Sequence, residues 1–226
     1  MSHGEPERQP ACVIAGAGPH LGLAIAAQFA AQGFAVYILS RSPARLETRL
    51  EALRAGGFAV EAAHCDVTDS RSVDVALGRV RRCHGHCDVL IYNAFAASPK
   101  NALELDAQTL SDDVRVSVGG ALTLVHQTVA GMRAAGGGTV LFTGCLEPAA
   151  EENTSPSGAI GKAGLHALAE YLMRELEPDG IRVGVVSVSA EIHTAAGYAG
   201  RAAECFWDMF VTSERNYEPH VRVVGC

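Results

Sequence analysis

Four stretches of the sequence carry residue types whose spacing could support chemistry. The first is Gly16-Ala17-Gly18-Pro19-His20-Leu21-Gly22, which follows the apolar run Cys12–Ala15 and leads into the helix-like Leu23–Gln32. Glycines at a strand-to-helix turn permit positive φ and close backbone approach, and a helix N-terminus offers unpaired N–H groups and a positive dipole end to a pyrophosphate. Gly16, Gly18, His20, Leu21 and Gly22 are therefore candidate cofactor contacts, although glycine at such a turn can also be purely structural. The second stretch, Ser40-Arg41, ends the next apolar run about two dozen residues on, where an NAD site keeps a carboxylate for the ribose hydroxyls. An arginine there suits the 2′-phosphate of NADP, so Ser40 and Arg41 point to NADP, with NAD still possible.

The third stretch, Cys83-His84-Gly85-His86-Cys87, packs four potential zinc ligands into five residues. Adjacent Cys-His pairs cannot easily turn four donors onto one tetrahedral centre, so no metal is expected. His20, and His64 with Cys65, are read as ordinary loop and strand-end residues. The fourth stretch, Gly158-Ala159-Ile160-Gly161-Lys162, sets a lysine on a helix that starts near Ser155-Pro156.

Apolar runs of strand length alternate with longer helix-like segments: Cys12–Ala15, Ala35–Leu39, Ala59–Ala63, Val89–Tyr92, Thr139–Phe142 and Arg182–Val188, with Val221–Val224 as a further edge strand. Such βαβ alternation predicts a single α/β domain, a Rossmann-type doubly wound parallel sheet over residues 11–226, behind a flexible N-terminal segment 1–10. Binding groups then belong at the carboxyl ends of the strands. Ala195–Phe210 reads as a helical excursion carrying Trp207, where folds of this kind often place a substrate cover.

Composition narrows the function classes. Apolar residues make up 48% of the 226, which supports a packed core, and the net charge of −7 comes without any basic run, so a nucleic-acid partner is not expected. No apolar stretch is long enough to span a bilayer and Met1–Pro10 has no signal-like core, which predicts no membrane association and a cytoplasmic location. Seven scattered cysteines in such a chain read as reduced thiols.

Taken together, the glycine loop, Cys65-Asp66-Val67 after the third strand and Asp88-Val89-Leu90-Ile91-Tyr92-Asn93-Ala94 at the fourth resemble the short-chain dehydrogenase/reductase family over nearly the whole chain. The resemblance implies that Asp66 and Val67 contact the adenine, that Asn93 steadies the central strand and cofactor, and that cofactor contacts extend to Ile192. Read as residues alone, an Asp before a turn commonly caps it and an Asn commonly satisfies backbone groups.

The family's catalytic serine, tyrosine and lysine map onto Cys145, Gly158 and Lys162, and its helix asparagine onto Ser117. Lys162, Cys145 and Ser117 are thus the catalytic candidates, and Gly158 stands where the tyrosine would be; the resemblance also makes Lys162 a cofactor contact through the nicotinamide ribose, while Cys145 read as a residue alone is a small buried thiol at a strand end. A tyrosine whose pKa is lowered by the neighbouring lysine acts in that resemblance-based mechanism as general acid, a role worth roughly 10²–10⁴ in rate. Glycine cannot supply it; Tyr92 is the first phenol that could stand in. The loop glycine ahead of Leu21 is His20, the glycine of Asn-Ala-Gly is Phe95, and a Pro-Gly after the sixth strand is missing. The expected protein is an NADP-binding oxidoreductase acting on a small carbonyl or alcohol with an atypical active site. Alternatives are a non-redox enzyme (isomerase, dehydratase or cyclase) or a catalytically silent regulatory protein on the same fold. A homodimer or homotetramer pairing through Asp112–Met132 and Ser157–Leu176 is the family-based expectation.

Overall fold

The computed structural model describes residues 8–18, 20–145, 155–189, 197–212 and 217–223. Seven strands, β1 (Ala11–Ala15), β2 (Ala35–Ser40), β3 (Val60–His64), β4 (Val89–Tyr92), β5 (Gly138–Cys145), β6 (Ile181–Val188) and β7 (His220–Val223), form one sheet in the order β3-β2-β1-β4-β5-β6-β7. Every neighbouring pair is parallel. Continuous apolar strands such as Val89-Leu90-Ile91-Tyr92 are buried throughout, as a sheet covered on both faces requires. β5 is longer than its apolar run suggests because it pairs with β6 over eight residues, from Gly138 with Ile181 to Cys145 with Val188.

The helices are α1 (Leu21–Ala31), α2 (Glu47–Ala55), α3 (Ser70–His84), α4 (Ala107–Val114), α5 (Gly120–Ala134), α6 (Pro156–Leu176) and α7 (Tyr198–Val211). One face of the sheet joins Tyr37, Leu90 and Phe142 to Leu77 of α3, Leu124 of α5 and Leu172 of α6. The other joins Ile14, Ile38 and Ile91 to Phe29 of α1, Leu50 of α2 and Phe206 of α7. Sequence order reverses at β1, whose neighbours are β2 on one side and β4 on the other. That reversal opens the crevice at the strand carboxyl ends where ligands of doubly wound sheets bind.

The expected cover helix is present but has a different job. α7 buries Tyr198, Ala202, Phe206 and Met209 in the core, and Trp207 packs edge-on to Phe29 and Phe34 at 5.4 and 6.0 Å between ring centroids. An amphipathic face of that size anchors α7 to α1 instead of leaving it as a lid. At the amino end, Arg8 is bonded to the His84 carbonyl and the Asp88 carboxylate, so ties to the domain begin inside the segment 1–10. Among the described cysteines, Cys12, Cys65, Cys83, Cys87, Cys145 and Cys205, none is in a disulfide.

Two backbone segments approach closely behind the glycine loop. Gly16 has φ of 84°, and a Cβ there would run into the Ala94 backbone that follows β4. Gly16→Ala should therefore lower the unfolding free energy by roughly 2–4 kcal/mol, adding strain at positive φ to overpacking. Urea unfolding measures it, and a loss under about 0.5 kcal/mol would mean that the loop shifts without strain.

Candidate active site

The glycine loop is held from behind by hydrogen bonds. Gly16 N–H donates to the Leu39 carbonyl at 2.9 Å, and Asn93 Nδ2 donates to the Gly16 carbonyl at 2.6 Å. Gly22 lets α1 settle on the loop, because a Cβ there would lie 2.5 Å from the Ala17 Cα, whereas Gly18 faces open space. His20 occupies the N-cap of α1 without a side-chain cap bond, and the first turn carries no acid. A helix start of this kind, without an acid, is one at which free amides and the dipole favour an anion.

A cavity of about 660 Å³ begins at this loop. It is lined by Gly16, Gly18, Ser40, Arg41, Asp66, Val67 and Asn93, which brings together cofactor candidates from four strands. Leu21 and Gly22 lie behind, buried in α1; Ile192 lies outside the described residues. Arg45, in the turn Pro43–Leu46, and Arg49 of α2 also line the cavity. Those two were missed; they reach the cavity because the tight turn Pro43–Leu46 runs straight into α2 beside the end of β2, a junction that sequence spacing does not reveal.

Asp66 fulfils its capping role: Oδ1 accepts the Thr68 N–H at 2.9 Å and the Thr68 hydroxyl at 2.7 Å. These bonds, helped by Arg41 and Arg115, hold its carboxyl below the usual range and keep it charged. Cys65 beside it is pushed up to about 11, chiefly by burial, and is an inert thiol.

Asn93 Oδ1 accepts the Thr143 hydroxyl at 2.9 Å, and the Thr143 carbonyl accepts Lys162 Nζ at 2.7 Å. The lysine ammonium also lies 4.8 Å from the centre of the Phe95 ring. Burial pushes Lys162 down to about 8, opposed in part by neighbouring Cys145. Lys162 and Cys145 are therefore brought together at the ends of α6 and β5. Gly158 faces the same place: a Cβ on it would lie 2.9 Å from Phe95 Cζ and 3.1 Å from Ala97 Cβ. Phe95 thus fills the space next to Gly158 and puts a ring face, not a hydroxyl, beside the lysine.

Ser117 is not at the reacting end of this group. It is buried in a π-helical turn, Arg115–Gly119, between α4 and α5, and its hydroxyl accepts the Ala96 N–H at 3.2 Å. Gly161 packs on it, with room for no Cβ because Ser117 Cβ would be 2.9 Å away. Ser117 therefore pins the chain after β4 against α6. Tyr92 cannot replace the missing phenol: it is fully buried, its hydroxyl donates to the Val116 carbonyl in the same turn, and burial drives its pKa up.

The Cys83–Cys87 donors face separate partners. His84 is bonded to the Tyr37 hydroxyl and the Gln9 carbonyl, His86 to Arg8 and Asp88, and buried Cys87 to the Val89 carbonyl.

Comparison with known proteins agrees with this geometry. A family model described as short chain dehydrogenase matches residues 10–197. The 3-oxoacyl-[acyl-carrier-protein] reductase of Mycobacterium avium is 26% identical over 175 residues, a match that spans 77% of this chain but 64% of that protein's length. An uncharacterised oxidoreductase of Thermotoga maritima is 32% identical over 78% of this chain and 68% of its own. The fold is similar to a metagenomic short-chain oxidoreductase solved in complex with NADP, with a TM-score of 0.85, 20% identity and coverage of 96% of this chain and 98% of that one.

Lys162 and Lys100 are the two lysines in the chain, so each can be followed by NMR of the lysine side chains. Lys162 should titrate with a midpoint near 8. Burial disfavours its charge, so the folded state sheds this proton before the unfolded chain does, and stability should rise as pH climbs from about 8 towards the ordinary lysine value. A midpoint above 10 would remove the case for a desolvated ammonium.

Proposed function

The chain belongs to the short-chain dehydrogenase/reductase family, and from that premise we propose that it is an NADP-dependent oxidoreductase acting on a small carbonyl or alcohol through a proton route that avoids the family tyrosine. The observation that carries the cofactor choice is the row Arg41, Arg45 and Arg49 along a cavity that starts at the glycine loop. Three guanidiniums and no carboxylate at the end of β2 favour a 2′-phosphate over bare ribose hydroxyls. The α1 amides would receive the pyrophosphate, and Asp66 and Val67 would hold the adenine. A nicotinamide bound there supplies the hydride.

The remaining steps belong to this chain's own residues. Asn93 keeps the loop, β4 and β5 in register through its two side-chain bonds. Lys162 donates one N–H to the Thr143 carbonyl, and its other two would hold the ribose hydroxyls. Cys145, half-buried beside the lysine, would be a weak donor to a forming alkoxide, with water as the other donor. Ser117 acts by positioning the 94–98 segment. Among the described residues no helix is long and apolar enough to cross a membrane. A cytoplasmic location, and a homodimer or homotetramer formed through α5 and α6, whose Leu122, Ile160 and Tyr171 are exposed, go with this reading.

The packing of Phe95 against Gly158 favours a second reading, an NADP-binding protein without carbonyl turnover. Loss of NADPH absorbance with a panel of aldehydes and ketones separates the two; product formed without that loss indicates non-redox chemistry.

Cofactor titration should find NADPH bound more tightly than NADH. Arg41→Asp should erase the preference, and Arg45→Ala and Arg49→Ala should each weaken NADPH by roughly tenfold, the scale of one charge-assisted hydrogen bond. Equal affinities in the unmodified protein would rule out the phosphate assignment. Carbonyl reduction should be slow. Gly158→Tyr alone should leave it so, because Phe95 occupies the place, whereas adding Phe95→Gly and Cys145→Ser should raise kcat by up to about 10²–10⁴. No gain in a triple variant that still binds NADPH would favour the second reading.

A further inference from the structure

We propose that His166, Glu170 and His220 form a binding site for a divalent transition-metal ion, such as Zn²⁺ or Co²⁺, on the flank of α6 that meets β7. His166 and Glu170 are one helical turn apart and so project side by side, and His220 is the first residue of β7, held in register by its pairing with Val185. His220 Nε2 lies 2.7 Å from Glu170 Oε1, and His166 Nε2 lies 3.8 Å from the same oxygen. The two imidazole rings face each other with centroids 4.6 Å apart and planes 36° apart. All three ligand atoms lie within 4.8 Å of one another.

Ligands bound tetrahedrally at about 2.0–2.1 Å sit roughly 3.3 Å apart, so atoms now spread over at most 4.8 Å must close by up to about 1.5 Å, while the His220–Glu170 pair at 2.7 Å opens by about 0.6 Å. His166, with half its side chain exposed, can move that far while the helix and strand hold the other two. Two imidazoles and one carboxylate suit zinc and its neighbours in the first transition row, and the exposed side of His166 leaves a fourth position to water. Arg174 Nη1 stands 3.9 Å from Glu170 Oε2 and is the nearby cation that opposes an added positive ion. His220 Nδ1 has no hydrogen-bond partner among the described residues, so no outer-shell bond strengthens this ligand. That makes the ion exchangeable, not a structural plug. An ion here would bridge α6, the helix carrying Lys162, to the sheet edge; the inference is independent of which cofactor or substrate the crevice takes.

The test is Co²⁺ titration of chelator-treated full-length protein, read by visible d–d absorption and by the melting temperature. One Co²⁺ per chain should bind, displaceable by Zn²⁺, with d–d bands, no thiolate charge-transfer band and a raised Tm. His166→Ala, His220→Ala and Glu170→Gln should each weaken binding by at least about tenfold. Arg174→Ala should keep or tighten it, a change that general disruption of the helix flank would not produce. The two α6 variants are surface changes, so they keep the test open if His220→Ala unfolds. Absence of saturable binding, stoichiometric binding that survives all three ligand substitutions, or a thiolate band lost in Cys83→Ser would overturn the proposal.

Discussion

The crevice depends on the side chain of Asn93. Its amide nitrogen bonds the carbonyl of Gly16, its amide oxygen takes the Thr143 hydroxyl, and the Thr143 carbonyl in turn receives Lys162. A single side chain therefore couples the glycine loop after β1 to β5 and to α6. All three bonds are part-buried, and polar groups left unpaired there would cost free energy, so the network ties three segments to one another. Gly16 at positive φ and Ala94 directly behind it are the steric counterpart of the same junction.

Around that junction, residues that depart from the family pattern pack against one another. Where a tyrosine would leave Gly158, a phenylalanine at 95 supplies ring volume from the opposite side of the space. The lysine keeps company with an aromatic ring, but a ring face stabilises a cation without offering a proton. Gly161 and Ser117 form a second matched pair, since the small serine and the bare glycine let α6 approach the π-helical turn. Such paired substitutions keep the core dense, which single substitution back to a larger residue would disturb.

Charge divides the molecule's surface chemistry into separate regions. Arginines gather where β2 gives way to α2, while Asp66 is kept ionised farther along the same cavity by Thr68 and by Arg41 and Arg115. Away from the crevice, α6 and β7 bring two histidines and a glutamate together beside Arg174.

Local pattern was enough for the sheet, the glycine loop and most of its lining. Apolar period, glycine placement and turn residues act over a few positions, so strand sites, Arg41, Asp66 and the absence of a tyrosine at 158 are all legible in one dimension. Asp66 and Asn93 make the bonds that their residue types suggest, and both also line the cavity. Other features arise only when distant segments meet. Phe95 and Gly158 are 63 positions apart, and His166 and His220 are 54 apart. Tyr92 looks available at a strand end until the π-helical turn buries it, and the crowded Cys83–Cys87 donors separate because α3 ends within them. Side-chain direction and burial are set by packing between elements, and sequence spacing carries no measure of that.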